Sequence, residues 1–115
     1  MTHDTTQAVQ TMFADALRTH QAGRLGEAER LYRLILERDP RHADALHLLG
    51  VIACQVGHLP LAVDLIGKAI AINPHMAAYH SNLGNALRGQ GRWDEAVACC
   101  RKAVALWCNR STRPT

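Results

Sequence analysis

The chain has 115 residues, enough for one domain with a modest core. Although 48% of the residues are hydrophobic, Phe, Trp and Tyr supply only five of them, and the abundance of alanine and leucine favours helices over sheets. The net charge of +3 is mild, and the polar start MTHDTTQAVQ and the lack of a long apolar run argue against a signal peptide or membrane span, which predicts a cytoplasmic protein.

Small residues and prolines recur at a step of 34 residues along the chain. The recurring positions are Gly23, Gly57 and Gly91; Ala28, Ala62 and Ala96; Ala16, Gly50 and Gly84; and Pro40 and Pro74. Repetition at this period is typical of stacked helix–turn–helix units, because one unit alone cannot bury its apolar faces. We therefore predict, in chain order, an N-terminal tail at 1–8, units at 9–42, 43–76 and 77–108, and a C-terminal tail at 109–115.

Each unit is predicted to contain two helices, and unit two shows the signals most clearly. Its first helix covers ADALHLLGVIACQV and ends before Gly57, since glycine accepts the left-handed conformation beyond a helix end. Pro60 opens the second helix, where its missing N–H group costs nothing, and Asn73-Pro74 ends it. Gly50 in mid-helix costs roughly 1 kcal/mol relative to alanine, which is tolerable if it lets the partner helix approach closely.

The residues at these positions resemble the tetratricopeptide repeat family. The family's pattern appears in unit two as Leu49-Gly50, Ala53, Gly57, Ala62, Ile66, Ala69 and Pro74. The resemblance covers roughly residues 7–108 and implies an all-α superhelix, or solenoid, of about three 34-residue helix–turn–helix units. The segment HSNLGNALRGQGRWDEAV is similar to bacterial arrays fused to glycosyltransferases and other modular enzymes.

The two ends of the array depart from that pattern. In unit one, Asp15 and Thr19 stand where large apolar residues are usual, which suits a solvent-facing N-terminal cap. In unit three, Trp107-Cys108 replaces the helix-ending proline, and the family's usual polar capping helix is missing. The apolar face left bare would contain Val97, Cys100, Val104 and Trp107. We therefore expect either a truncated array or self-association through the C-terminal edge.

In this family the first helix of each unit lines a concave groove, so the resemblance implies a peptide-binding groove here. From unit one the groove would include Gln10, Phe13, Leu17, His20 and Gln21. From unit two it would include Asp44, His47, Leu48, Val51, Cys54 and Gln55, and from unit three Ala78, Ser81, Asn82, Asn85 and Arg88. Apolar anchors mixed with side-chain amides suit an extended segment or a helix, and a merely solvated face is the alternative.

Two specialised forms of this groove fit the residues poorly. Chaperone-binding members grip a C-terminal carboxylate with Lys, Asn and Arg, whereas the matching places here hold Phe13, Leu17, Leu48, Ala78 and Asn82. Arrays fused to O-linked N-acetylglucosamine transferases bond the substrate backbone through an asparagine ladder, whose places here read Ala14, Leu48 and Asn82. Neither specialised function is therefore predicted.

The sequence offers no metal or catalytic pattern. His47 and Cys54 lie two helical turns apart, about 10 Å, which is too far for one ion without further ligands. The four cysteines show no C-x-x-C spacing, so we expect reduced, partly buried thiols, and neither a nucleophile–base set nor a phosphate loop is visible. Nucleic-acid binding is not predicted either, since it would depend on a faint basic stripe of Arg88, Arg92, Trp93, Arg101 and Lys102.

We predict a protein–protein interaction scaffold that binds a peptide or protein segment in the groove, without enzymatic activity, cofactor or membrane partner. The alternative is an N-terminal fragment of a larger modular enzyme, an O-linked glycosyltransferase or methyltransferase, whose catalytic domain is absent from this chain.

Overall fold

The computed structural model describes residues 2–112, with side chains from 6 to 108, and this part of the chain forms six α-helices and no strand. The helices are α1 Thr2–Gln21, α2 Leu25–Arg38, α3 Ala43–Gln55, α4 Leu59–Ile72, α5 Ala77–Gly89 and α6 Trp93–Thr112. Consecutive helices pack in pairs, and each pair stacks on the next through contacts of α2 with α3 and of α4 with α5. The predicted all-α architecture is confirmed. No helix in the described part is long and apolar enough to cross a membrane.

Three glycines turn the chain between the helices of each pair. Gly23, Gly57 and Gly91 have φ values of 83°, 89° and 77°, a left-handed conformation that residues with a side chain adopt only with strain. The N–H group of His58 donates to the Ala53 carbonyl at 2.8 Å, and equivalent bonds close the other two turns. The turn is therefore tight enough to lay each second helix directly against the first.

Prolines decide where the second helices stop. α2 ends at Arg38 and α4 at Ile72, in each case just before an X-Pro pair that disfavours helical backbone. The equivalent residue in unit three is Cys108, and α6 continues to Thr112. Helical structure therefore enters the segment 109–115 that the sequence left as a tail, and α1 likewise begins at Thr2, inside the predicted tail 1–8. Met1 and residues 113–115 lie outside the described residues.

The small residues of the 34-residue step lie where paired helices cross. At Gly50, an added Cβ atom would lie 2.7 Å from Ile66 Cγ1 and 3.3 Å from the Ala62 carbonyl oxygen, so the backbone of α3 rests directly on α4. Ala62 on the other side of this crossing is fully buried, and so is Ala28, its equivalent on α2. The predicted role of these residues in close helix approach is confirmed.

A continuous core joins the stacked pairs from α1 to α5. Tyr32 and Ile66 are completely buried, Leu49 is 3% exposed, and half-buried Leu83 packs against the same cluster. These side chains fill the space between neighbouring pairs. Burial therefore depends on stacking, which is how repeat proteins obtain their stability.

Candidate functional site

The first helices of the three pairs lie side by side and are tied together by side chains. Asn82 Nδ2 donates to His47 Nε2 at 2.8 Å, the Tyr79 hydroxyl donates to Asp44, and His20 Nε2 donates to Gln55 Oε1 at 2.9 Å. Each of these bonds joins residues 35 apart in neighbouring units, one between α1 and α3 and two between α3 and α5. The surface formed by α1, α3 and α5, which we call the first-helix face, is therefore one connected face.

His47 is part of the scaffold of this face and not of its open surface. Its side chain is 6% exposed, and its ring lies 4.5 Å from that of Tyr79. Burial lowers the pKa of His47, and the nearby charge of Asp44 opposes that shift. Tyr79 of unit three is equivalent to Ala45 of unit two. Its larger side chain is what covers His47. That change from alanine to tyrosine was the signal in the sequence that could have revealed the burial.

At the N-terminal end of the face, aromatic residues hold α1 in place. Because Gln55 Oε1 can only accept from His20 Nε2, the His20 Nδ1 atom is left to accept from the Tyr32 hydroxyl at 3.3 Å. Half-buried Phe13 packs 6.2 Å from the Tyr32 ring and 5.0 Å from the His42 ring. His20 and Phe13, both predicted groove residues, therefore contribute to the packing of α1 and are not wholly available to a bound peptide.

A cavity of about 190 Å³ opens between α3 and α5. It is lined by Val51, Cys54, Gln55, Ile66, Asn82 and Asn85. Five of these were predicted groove residues, and Ile66 of α4 is the one that the predicted groove did not include. The floor is apolar, while the exposed amides of Gln55 and Asn85 stand at the rim. The cavity is smaller than a typical cofactor pocket of at least about 300 Å³ and suits a single aliphatic side chain.

The remaining predicted groove residues divide between two places. Gln10 and Gln21 are exposed on α1, Leu17 and Leu48 are half-buried, and Asp44 is exposed but bonded to Tyr79. Ala78, Ser81 and Arg88 instead line depressions at the opposite side of unit three, where α5 meets α6. The predicted set of sixteen is therefore not one continuous groove lining.

Among the described residues, no group of three or more His, Cys, Asp or Glu side chains lies close enough together to hold a metal ion. Of the four cysteines, Cys54 and Cys99 are half-buried, and Cys100 and Cys108 are exposed. Cys100 belongs to the apolar face predicted to be bare, and it is exposed although its Sγ atom lies close to Gly84 of α5. Burial raises the pKa of Cys99, which keeps that thiol protonated.

Two family models described as tetratricopeptide repeat match the chain, one over residues 13–66 and the other over residues 77–107. This chain belongs to the tetratricopeptide repeat family. The helix pairs are therefore TPR units, and the resemblance read from the sequence is confirmed.

Relatives of this TPR chain include much longer proteins. It is 37% identical over 81 residues to the UDP-N-acetylglucosamine–peptide N-acetylglucosaminyltransferase of Caenorhabditis elegans, a match covering 70% of this chain and 7% of that protein. It is 31% identical over 84 residues to tetratricopeptide repeat protein 7A of Homo sapiens, covering 73% of this chain and 10% of the human protein. The chain thus spans a tenth or less of either relative.

Solved TPR structures superpose closely on the chain. An O-GlcNAc transferase mutant from Thermobaculum terrenum matches with a TM-score of 0.88 and 29% identity, over 89% of this chain and 20% of that one. The second TPR of Spaghetti, bound to an HSP90 peptide, matches with a TM-score of 0.81 and 14% identity, over 85% of this chain and 91% of that one. The second likeness shows the fold alone, and together they confirm the predicted solenoid.

Proposed function

We propose that this TPR chain is a cytoplasmic protein-interaction module that holds an extended peptide or protein segment on its first-helix face and does not act as a catalyst. The observation that carries the proposal is the small cavity between α3 and α5, with its apolar floor and amide rim. Such a pocket accepts one aliphatic side chain, and neighbouring amides bond the peptide backbone on either side of it.

The rim amides are suited to this task. Gln55 uses Oε1 to accept from His20, so its amide Nε2 group remains to donate to a guest carbonyl. Asn85 is exposed at the same cavity and offers both a donor and an acceptor. Asn82 is committed differently, because its Nδ2 group already bonds His47. The guest backbone therefore lies nearer to Gln55 and Asn85 than to Asn82.

Selection from a library of displayed random peptides on the immobilised chain tests this function. We expect enriched peptides to share one aliphatic residue and to lose at least ~10-fold in affinity with Val51→Asp or Asn85→Ala, a loss of about 1.4 kcal/mol. Val56→Asp is the matched control, because Val56 is 53% exposed and does not line the cavity. Circular dichroism confirms that each variant is folded. Peptides that bind the Val51 variant as well as the parent would refute the cavity as the site.

A second function is favoured by the nematode and Thermobaculum matches, both with glycosyltransferases much longer than this chain. In that case the chain is the N-terminal TPR part of a larger modular enzyme and presents substrates to a catalytic domain. Sequencing the genomic DNA beyond the codon for Thr115 distinguishes the two: an open reading frame that continues the 34-residue step supports the enzyme fragment, and an immediate stop codon refutes it.

A further inference from the structure

The side of unit three that faces away from α4 carries an unusual amount of exposed apolar surface. We call this side, formed by α5 and α6, the C-terminal edge. Trp93, Val97, Val104 and Trp107 lie on α6 and are 62%, 49%, 60% and 64% exposed. Large apolar side chains grouped in this way on a folded domain mark an interaction surface.

Two neighbouring cavities lie on this edge, and Val104 contributes to both. The first has a volume of about 480 Å³, with Gly84, Ala96 and Cys100 among its lining residues and Trp93 beside them. The second has a volume of about 450 Å³ and includes Ala78, Ser81 and Trp107. Each is large enough to receive a bulky side chain.

The repeat itself shows what covers such an edge, because α5 already covers the equivalent edge of unit two. Tyr79 of α5 is 2% exposed and contacts Asp44 and His47. One step of 34 residues later, Asp44 and His47 correspond to Ala78 and Ser81, which line the second cavity. The second cavity is therefore the place that an aromatic side chain fills one unit earlier.

Two further residues of α5 set the register. Ala86 packs in one cluster with Ala62, whose equivalent Ala96 lines the first cavity. Gly89 packs against Leu59, because a Cβ atom at Gly89 would lie 2.9 Å from Leu59 Cδ1. The residue equivalent to Leu59 in unit three is the exposed Trp93. Residues at i, i+7 and i+10 lie on one face of a helix. A helix placed on the C-terminal edge in the α5 register would thus fill both cavities and cover Trp93.

Three substitutions between unit two and unit three indicate the size and charge of the helix that would cover the C-terminal edge. Ile66 is replaced by the smaller Cys100, which enlarges the first cavity. Cys54 and Gly67 are replaced by Arg88 and Arg101, which add positive charge at its rim. Covering these guanidinium groups is favourable only if carboxylates face them, since an unpaired buried charge is costly.

We propose that the C-terminal edge binds one amphipathic α-helix of a partner protein in the register of α5. The guest places an aromatic side chain beside Trp107, a branched aliphatic side chain seven residues later beside Cys100, and Asp or Glu side chains toward Arg88 and Arg101. This site shares Asn85 with the cavity of the first-helix face, but it does not depend on the function proposed for that face.

A second copy of this chain fits the same site poorly. In α1, the places of Tyr79, Ala86 and Gly89 are taken by Thr11, Arg18 and Gln21, all of which are exposed. Arg18 would face the positive rim of the first cavity, and no aromatic residue would enter the second. Head-to-tail stacking of copies is therefore disfavoured by both charge and shape.

Tryptophan fluorescence tests the proposal directly, because the only two tryptophans of the chain, Trp93 and Trp107, both lie on this edge. The probe is a capped helical peptide with Tyr at i, Leu at i+7, Ala at i+10 and Glu flanking them; the control peptide has Ala in place of Tyr and Leu. We expect a blue shift with the probe only, weakening as salt rises. Val104→Glu should reduce the affinity at least ~10-fold, whereas Val56→Glu should leave it unchanged.

Three results would overturn the proposal: no shift with the probe, an equal shift with the control peptide, or unchanged affinity in the Val104 variant. A fourth such result would come from the oligomeric state, measured by sedimentation velocity without peptide. If the chain forms a dimer that Val104→Glu dissociates, the occupant of the edge is a second copy and not a partner helix. None of these outcomes alters the result expected for the Val51 variant in the peptide selection, because Val51 does not line either edge cavity, whereas Asn85 lines the first of them.

Discussion

Replacement of Gly50 by alanine measures how tightly α3 and α4 are packed. Alanine favours a helix interior over glycine by about 1 kcal/mol, so the change stabilises the protein wherever space allows. At Gly50 there is no such space, because the new methyl group would lie 2.7 Å from Cγ1 of the fully buried Ile66 and 3.3 Å from the Ala62 carbonyl oxygen. Neither neighbour moves easily, and overpacking of this kind costs about 1–3 kcal/mol.

Two other glycines in helix interiors, Gly67 of α4 and Gly84 of α5, provide matched controls. At Gly67 an added Cβ atom would meet nothing within 4 Å, so Gly67→Ala should stabilise the protein by about 1 kcal/mol. At Gly84 it would lie 3.2 Å from the Ala96 carbonyl oxygen, much as at Gly50, but its other close neighbour is Cys100 Sγ at 3.0 Å, and the thiol group of the exposed Cys100 can rotate away. The expected order of stability is therefore Gly67→Ala, then Gly84→Ala, then Gly50→Ala, with about 1–3 kcal/mol between the first and last.

Urea unfolding followed by circular dichroism gives these free energies, and each kcal/mol should also shift the melting temperature by roughly 4 °C. Combining Gly50→Ala with Ile66→Ala then identifies the contact. The new methyl group occupies space that the Ile66 truncation leaves empty, so the double variant should be more stable than the sum of the single effects by about 0.5–3 kcal/mol. If Gly50→Ala is as stable as Gly67→Ala, the close crossing of α3 and α4 is refuted.

Three further predictions concern the turn and the buried titratable groups. Gly57→Ala should lower the free energy of unfolding by about 1–2 kcal/mol and Gly57→Asn by less, as measured in urea, because φ is 89° at this turn. Burial raises the pKa of Tyr32 to about 12 and that of Tyr79, bonded to Asp44, higher still, so the stability should fall as the pH rises above the ordinary tyrosine value of 10.0. Urea unfolding between pH 8 and about 11 should show this fall, and the Phe variants of the two tyrosines should show less of it. Burial lowers the pKa of His47 from 6.5, so its neutral form stabilises the fold above that pH and the stability should fall below it. His47→Phe should reduce this loss between pH 8 and pH 5.5, and an unchanged pH dependence in the variant would contradict the role of His47.

The fold was predictable because its determinants are local and repeat in the sequence. Gly57 requires a backbone conformation that other residues resist, and Pro74 prevents a helix from continuing through the residue before it. Gly50 and Ala62 report a close approach of two helices through the size of their own side chains. Each signal acts within one unit, and its recurrence at the same step identifies the stacking.

The candidate site was less predictable because it depends on contacts between units. A pattern within α3 places His47 on the outer side of a first helix, yet Tyr79 of the next unit buries it. The same pattern places Ala78 with the groove residues, although its surroundings are set by α6. Which surface a residue lines was decided by the neighbouring unit, and a repeat pattern read within one unit contains no such information.

Comparison of equivalent positions separates what the fold requires from what a guest requires. The backbone is the same at Gly57 and Gly91, where the turn demands glycine. Cys54 and Arg88 are likewise equivalent helical positions. A small or apolar residue is needed at this position only if another TPR unit packs over it in the usual way. An arginine at that place is unfavourable beneath an apolar helix and favourable beneath an acidic one. The charge at Arg88 therefore argues that whatever covers the C-terminal edge differs from α5 in charge while sharing its geometry.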